Sequence, residues 1–184
     1  MPKNSGSRLP KKAVPELRGL VPAYVLKQRL AVTAFPFEIR SAFMNQLDRP
    51  TRGVVAVVPR EDRLLVIRRS QSVIAPGAYC FPGGSIEVGE DATTALVREC
   101  REELGVACQP RRELWQSVTP WNVELSWWLA KLPFDAPLSP NDDEVESVLW
   151  LTPQAMRSLS DLLESNHHFL DAWEAAEFDL PLLR

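Results

Sequence analysis

Residues 81–106 read FPGGSIEVGEDATTALVRECREELGV, and this stretch decides the fold. Glycine is concentrated here, since five of the chain's 8 glycines lie between positions 77 and 105. After the glycines an apolar residue recurs every four positions, at Ala92, Leu96, Cys100 and Leu104. This period predicts a helix over Ala92–Leu104, and Gly105 follows where a helix end favours a left-handed residue. The stretch therefore predicts a glycine-rich turn that leads through a short loop into an amphipathic helix.

The predicted helix carries three acidic side chains on one face, Glu99, Glu102 and Glu103. Residues three and four positions apart are neighbours on a helix, and like charges there repel by roughly a few tenths of a kcal/mol per pair. A lysine-rich partner face would relieve the repulsion, but the nearby sequence offers none. The other solution is a hard divalent cation such as Mg²⁺ or Mn²⁺, which takes carboxylate oxygens and bridges to substrate phosphates.

The segment before the helix complements this acidic face. At Phe81–Gly84 a tight turn is predicted, in which bare backbone can approach a ligand or metal because glycine has no Cβ. Glu90 lies just before the helix, at the positive end of the helix dipole. Arg98 is seven residues into the helix, and we expect it to reach back and pair with Glu90. This pair would hold the loop 85–89 against the helix.

The spacing of these residues resembles the Nudix box, GX5EX7REUXEEXGU, in which U is a bulky apolar residue. Every fixed position matches from Gly84 to Val106, and FPGG precedes the box as it does in many members. Cys100 stands at an apolar position that is usually aliphatic, where a buried cysteine serves as a small hydrophobe. The resemblance implies the Nudix fold, a mixed β-sheet sandwiched between helices. The order of strands and helices indicates the same class, α+β or layered α/β.

The resemblance also implies an activity and a site. A Nudix hydrolase cleaves a pyrophosphate bond in a nucleoside diphosphate linked to a moiety X, by attack of water and with Mg²⁺ or Mn²⁺. Carried over by position, Glu99, Glu102 and Glu103 would bind the metal with a backbone carbonyl at Gly83 or Gly84. One of these glutamates, or an acid elsewhere in the domain, would be the general base. Arg98 and Glu90 would orient the catalytic helix.

A catalytically silent Nudix-fold module that binds a nucleotide or a partner is the alternative to an enzyme. Such a module would be expected to lose one or more glutamates of the box, and none is lost here. The complete set of glutamates therefore favours the hydrolase.

Four residues outside the box are further candidates. Glu144, in the acidic loop 141–146, would be an additional catalytic acid, or else an acid that caps the following strand. Arg68 and Arg69 end a predicted strand and would contact substrate phosphates, because arginine binds phosphate in a bidentate manner. The alternative is that both arginines are solvated residues at an ordinary strand end. Trp121 would stack on a base, or else belong to the core.

The expected substrate is a nucleoside triphosphate or a nucleotide sugar. A weaker resemblance points to coenzyme A diphosphatases, because Leu64, Leu65, Arg68 and Gly77-x3-FPGG fall on the spacing of their motif. Val66, Arg69 and Val73 depart from that motif, so coenzyme A ranks second.

The 184 residues are 45% hydrophobic and 24% charged, which is typical of a globular chain. Residues 1–50 are predicted to form a mobile basic tail and an N-terminal extension that includes a helix over Phe37–Leu47. The hydrolase domain is predicted over 51–184, including two C-terminal helices at Pro153–Leu159 and Asp161–Ala176. Short β-branched runs predict strands at Val54–Val58, Arg63–Arg68, Ala78–Phe81, Leu114–Val118, Glu124–Leu132 and Ser147–Leu151.

Charge and cysteine usage limit the partners. The net charge of -3 favours neither nucleic acid nor a membrane surface as a partner, so a small-molecule nucleotide is expected. No apolar run reaches the roughly 18 residues that a membrane span needs. Three cysteines without a CxxC spacing indicate a reducing compartment, which we expect to be the cytoplasm. The sequence leaves the oligomeric state open, a homodimer included.

Overall fold

The structure is a computed structural model that describes residues 51–120 and 122–181. Trp121, the predicted tail and extension at 1–50, and residues 182–184 lie outside the described residues. The strands are β1 Thr51–Val57, β2 Pro59–Arg60, β3 Arg63–Arg69, β4 Tyr79–Cys80, β5 Gly83–Ser85, β6 Gln109–Val118, β7 Val123–Lys131 and β8 Val145–Leu151. The helices are α1 Ala92–Leu104, α2 Pro153–Arg157 and α3 Glu164–Glu174.

The strands form two sheets of four rather than one mixed sheet. The first has the order β5-β1-β7-β6, in which β1 and β7 are parallel and the other pairs are antiparallel. In the second, β3 pairs antiparallel with β2, β4 and β8. The mixed first sheet and its helices confirm the predicted fold class.

Strand β1 separates two apolar cores. Val54 and Ala56 pack in the core that includes Leu96 of α1, whereas Val55 and Val57 pack in the core that includes Phe169 of α3. Successive residues of a strand point to opposite faces, so a continuous apolar run can serve both cores. The sheet is therefore covered by α1 on one face and by α3 on the other.

The bounds of α1 are those predicted, but the glycine-rich turn is different. Gly83–Ser85 is a strand that pairs with β1, with Gly84 opposite Val54. Glycine is depleted in strands, so residue type alone did not indicate this strand. The backbone has a φ of 145° at Gly83, and a Cβ there would overlap the carbonyl oxygen of Val54. Glycine is therefore needed at position 83 for β5 to pair with β1, in addition to the close approach of a ligand for which the sequence suggested it.

The C-terminal helices are shorter than predicted because the chain between them pairs with β4. The backbone N–H of Tyr79 donates to Asp161 O at 2.9 Å, and that of Leu163 donates to Tyr79 O at 3.0 Å. Helix α3 consequently begins at Glu164, not at Asp161. Its Phe169 ring stacks on Trp127, with ring centroids 4.7 Å apart. None of the described helices combines the length and apolar character that crossing a membrane requires.

Replacing Phe169 by alanine should lower the free energy of unfolding by about 3–5 kcal/mol, because the loss of a buried ring leaves a cavity. Equilibrium urea denaturation measures the change. Phe134, a residue that is 83% exposed, provides the control, and Phe134→Ala should change stability by less than about 0.5 kcal/mol. Equal losses in the two variants would contradict the core position of Phe169.

Candidate active site

Both ends of α1 are fixed by local hydrogen bonds. The Asp91 carboxylate caps the first turn and accepts from the backbone N–H groups of Thr93 and Thr94, each at 2.9 Å. At the other end Gly105 adopts the left-handed conformation and donates its N–H to Arg101 O. A Cβ at Gly105 would overlap Ser139 O, so only glycine fits there. These ends determine where the three glutamates of the helix lie.

Glu103 is the buried carboxylate of the site, with 4% of its surface exposed. Its Oε2 accepts a hydrogen bond from the backbone N–H of Gly83 at 2.8 Å, which joins α1 to β5. Burial raises the pKa of Glu103 to about 8, and the nearby carboxylate of Glu99 acts in the same direction. The side chain thus has one backbone donor and forms no ion pair within the part of the chain that the structure describes.

Glu99 lies one helical turn before Glu103 and faces Gly84. A Cβ at Gly84 would overlap the carboxylate of Glu99, so the absence of a side chain at Gly84 makes room for that carboxylate. Burial also raises the pKa of Glu99 above its usual value. The two glutamates therefore approach the same short strand, Glu99 through the space left by the missing side chain of Gly84 and Glu103 through the backbone N–H of Gly83.

Arg98 provides the positive charge of the site. The predicted pair with Glu90 is present, with Nη2 2.9 Å from Glu90 Oε2. The Arg98 Nη1 also donates to Glu99 Oε1 at 2.8 Å and to Glu102 Oε2 at 2.9 Å. A further bond runs from Nη2 to Ser85 O at 2.8 Å. One guanidinium thus ties β5, the following loop and the helix together, and its hydrogen bonds hold the pKa of Glu90 below the usual value.

Within residues 51–120 and 122–181, no three acidic, histidine or cysteine side chains converge closely enough to hold a metal ion. The reason is that Glu99 and Glu102 both point to Arg98, whereas Glu103 points to Gly83. The chemistry of this donor set nevertheless suits a hard divalent cation, because three carboxylates share one helix face beside bare backbone. The residues present therefore fit Mg²⁺ or Mn²⁺.

The loop between β7 and β8 brings Glu144 to the same place. Burial is the larger cause of the raised pKa values of Glu99 and Glu103, but the charge of Glu144 contributes to both. The loop is also bonded to α1, since the backbone N–H of Asn141 donates to Glu103 O at 3.2 Å, so Glu144 comes close to the helix although it is some 40 positions away in the sequence.

Arg68 and Arg69, the two residues that were predicted to contact phosphates, have different surroundings. Arg68 donates to Glu146 Oε1 at 2.5 Å and to Gly77 O at 3.3 Å, and its guanidinium lies over the ring of Tyr79. These contacts engage Arg68 within the second sheet. Arg69 donates from Nε to Ile74 O at 2.7 Å, and its charge partly offsets the rise that burial causes in the pKa of Glu103. Trp121 is outside the described residues.

Sequence reasoning missed two buried polar residues that support this site. Asn166 is 3% exposed, and its Oδ1 accepts from the backbone N–H of Phe81 at 3.0 Å. Its place three residues before Phe169, on the buried face of α3, was the signal that could have revealed it. Ser70, which is 5% exposed, directly follows β3 and carried no such periodic signal.

Comparison with known proteins agrees with this geometry. The family model described as NUDIX domain matches residues 48–173, which is more than half of the chain. The chain therefore belongs to the NUDIX domain family.

The sequence identity between this chain and individual relatives is modest, from 25% to 40% in the three cases that follow. The chain is 26% identical over 132 residues to the NAD-capped RNA hydrolase NudC of Pseudomonas aeruginosa, covering 72% of this chain and 47% of that protein. It is 40% identical over 53 residues to the CTP pyrophosphohydrolase of Escherichia coli, covering 29% of this chain and 39% of that protein. The solution structure of the E. coli ORF135 protein aligns with a TM-score of 0.56 and 25% identity, covering 70% of this chain and 91% of that one. The chain thus spans about half the length of NudC.

Replacing Asp91 by alanine should lower the melting temperature at pH 7, and the difference from wild type should shrink as the pH falls from 4 to 2. Hydrogen bonds from Thr93 and Thr94 hold the pKa of Asp91 at about 2, below its ordinary 3.8. The stabilisation by the carboxylate is therefore present above pH 3.8 and is lost as the pH falls through 2.

Thermal unfolding followed by circular dichroism at several pH values measures this difference. Asp135→Ala, which removes an exposed acid from a loop, is the control and should show no such convergence. A difference between wild type and Asp91→Ala that stays constant down to pH 2 would contradict the capping role.

Proposed function

We propose that this chain hydrolyses a pyrophosphate bond in a nucleoside diphosphate linked to X, with water as the nucleophile and Mg²⁺ or Mn²⁺ as cofactor. The observation that carries the proposal is the approach of Glu99 and Glu103 to the bare backbone of Gly83 and Gly84. Glu103 is buried beside the partly buried Glu99 and forms no ion pair among the described residues, which is costly, and a metal with a bound phosphate chain would offset that cost.

Glu99, Glu102 and Glu103, with a backbone carbonyl at Gly83, would hold the cation, which when bound neutralises phosphate charge and lowers the pKa of water. Arg98 already balances the charges of Glu99 and Glu102, so these two side chains would turn from the guanidinium on binding. The bonds from Arg98 to Glu90 and Ser85 O would remain and hold the loop. Gly83 and Gly84 would leave space for the phosphates against β5.

Glu144 would complete the catalytic centre by accepting the proton of the attacking water. Its carboxylate comes from the loop before β8 and not from the helix that would supply the side-chain ligands of the cation. A base should have a free lone pair near the reacting atoms, and Glu144 would be left free for this role because Glu103 would be a ligand of the cation. Arg69 would bind the substrate phosphates, and we retain Arg68 and Trp121 as further candidates for substrate contact.

The substrate we favour is a free nucleotide, either a nucleoside triphosphate or a nucleotide sugar. The names of the relatives support a nucleotide pyrophosphate, since one is a CTP pyrophosphohydrolase. The match to NudC covers 72% of this chain, and for that reason a NAD-type cap is the second candidate. Coenzyme A follows because of the partial motif at Leu64, Leu65 and Arg68.

We also propose that the hydrolase domain extends over 51–184 and that the protein works in the cytoplasm. Cys80, Cys100 and Cys108 are all buried and free, and reduced thiols are the state expected in a reducing compartment. A homodimer stays open as its form of assembly.

A substrate panel tests the function. The purified full chain is incubated with Mg²⁺ or Mn²⁺ and with nucleoside triphosphates (normal and oxidised), ADP-ribose, nucleotide sugars, dinucleoside polyphosphates, NAD, a NAD-capped RNA and coenzyme A. Products are identified by mass spectrometry. Cleavage at a phosphorus–oxygen–phosphorus link that stops on addition of a chelator is the expected result. No cleavage of any member with either metal would overturn the proposal.

Glu103→Gln and Glu102→Gln should each lower kcat by orders of magnitude without unfolding the domain, because each removes a charge from the cation's ligands. Steady-state kinetics on the best substrate of the panel gives kcat, and circular dichroism verifies the fold. Glu124→Gln, at an exposed position on β7, is the matched control and should keep normal turnover. Near-normal kcat in both helix variants would rule out the metal assignment.

A further inference from the structure

Ser70 is the first residue after β3, and neither the box nor the resemblance assigns it a role. It is 5% exposed, although its neighbours Gln71 and Ser72 are exposed. A buried hydroxyl needs hydrogen-bond partners, because burying it without them costs roughly 1–3 kcal/mol. The positions of those partners identify the loops to which Ser70 is bonded.

All the partners of Ser70 lie in two loops beside the catalytic centre. Its Oγ donates to the carbonyl oxygen of Asp143 at 2.6 Å and accepts from the backbone N–H of Ser72 at 3.1 Å. Its own backbone N–H donates to the carbonyl oxygen of Glu144 at 2.9 Å. Ser70 therefore holds two successive peptide groups of the acidic loop and also the first turn of the β3–β4 loop.

The opposite side of the acidic loop is attached to α1. The backbone N–H of Ser139 donates to Leu104 O at 2.9 Å, and that of Asn141 donates to Glu103 O at 3.2 Å. The segment between Ser139 and Val145 is thus held at the end of the catalytic helix and again at Ser70. Glu144 lies at the Ser70 end, just before β8 begins at Val145.

The register of the strands explains why this second attachment is needed. Pairing between β3 and β8 shifts between Arg68 and Arg69, so that Arg69 is opposite Val145. A shift of this kind interrupts the regular ladder of hydrogen bonds where β8 starts. The bonds of Ser70 replace the ladder at that point and, together with the bonds from the N–H groups of Glu144 and Val145 to Asn141 O, fix the direction of the Glu144 peptide.

We propose that Ser70 is a positioning residue that holds the Glu144 carboxylate towards Glu99 and Glu103 by binding the backbone of Asp143 and Glu144. The proposal rests on the proposed function for its catalytic consequence. Ser70 does not touch the reacting atoms, and its effect on the reaction passes through Glu144.

Ser70→Ala removes the hydroxyl and keeps the backbone bond to Glu144 O. We expect kcat on the best substrate of the panel to fall roughly 10- to 100-fold with little change in KM, because a small displacement of a catalytic group costs that much. Ser70→Thr keeps a hydroxyl and should recover most of the loss. Ser72→Ala, at an exposed position two residues on, should stay within about twofold of wild type.

A double-mutant cycle separates positioning from general damage. Glu144→Gln should itself lower kcat, and Ser70→Ala should then cost less than about twofold in the Glu144→Gln background. An equal cost of Ser70→Ala in both backgrounds would overturn the proposal, because Ser70 would then act by a route other than Glu144. Unchanged kcat in Ser70→Ala, or full activity of Glu144→Gln, would overturn it as well.

Hydrogen exchange gives a readout that needs no substrate. Mass spectrometry on peptides that span 139–146 should show faster amide exchange in Ser70→Ala than in wild type and in Ser72→Ala. Unchanged exchange would contradict the claim that Ser70 holds the loop. If the wild-type chain cleaves nothing in the panel, the proposed function fails, and this measurement still decides whether Ser70 holds the loop.

Discussion

The burial of two carboxylates against bare backbone is the constraint on which the rest of the structure depends. Glu103 accepts from the N–H of Gly83, and Glu99 occupies the space that a side chain at Gly84 would fill. Acidic side chains are rarely buried unless they are paired, because desolvation favours the neutral form. Both elements must therefore be held rigidly, α1 by its Asp91 cap and its Gly105 end, and β5 by its pairing with β1.

Support for β5 comes from both faces of the sheet. On the α1 face, Arg98 binds Ser85 O and Glu90, which fixes the strand end and the loop to the helix. On the other face, Asn166 of α3 accepts from Phe81 N, and the Phe81 ring packs against Phe169. The C-terminal helices are therefore part of the support of the site, since they restrain the segment that leads into Gly83.

Membership of the NUDIX domain family agrees with this arrangement, and the structure adds how the charges are balanced in this chain. Arg98 is shared among Glu90, Glu99 and Glu102, while among residues 51–120 and 122–181 Glu103 has one backbone donor and no cationic partner. The acidic helix is thus partly neutralised by its own arginine before any ligand binds. Substrate choice would depend on the loops around the site, because loops vary more among relatives than the elements they connect. The proposals above concern two of these loops, the β3–β4 loop and the acidic loop before β8.

The sequence by itself determined helix α1, because a four-residue apolar period, the acid before it and the glycine after it are local signals. It also determined the Arg98–Glu90 pair, which depends on the short spacing between the start of the helix and the residue just before its cap. Only the tertiary structure decided the strand at Gly83–Ser85, the division into two sheets and the hydrogen bonds of Ser70 and Asn166. The physical reason is that strand pairing and buried side-chain hydrogen bonds join residues about 30 to 85 positions apart, and a glycine or serine carries no local pattern that names its partner.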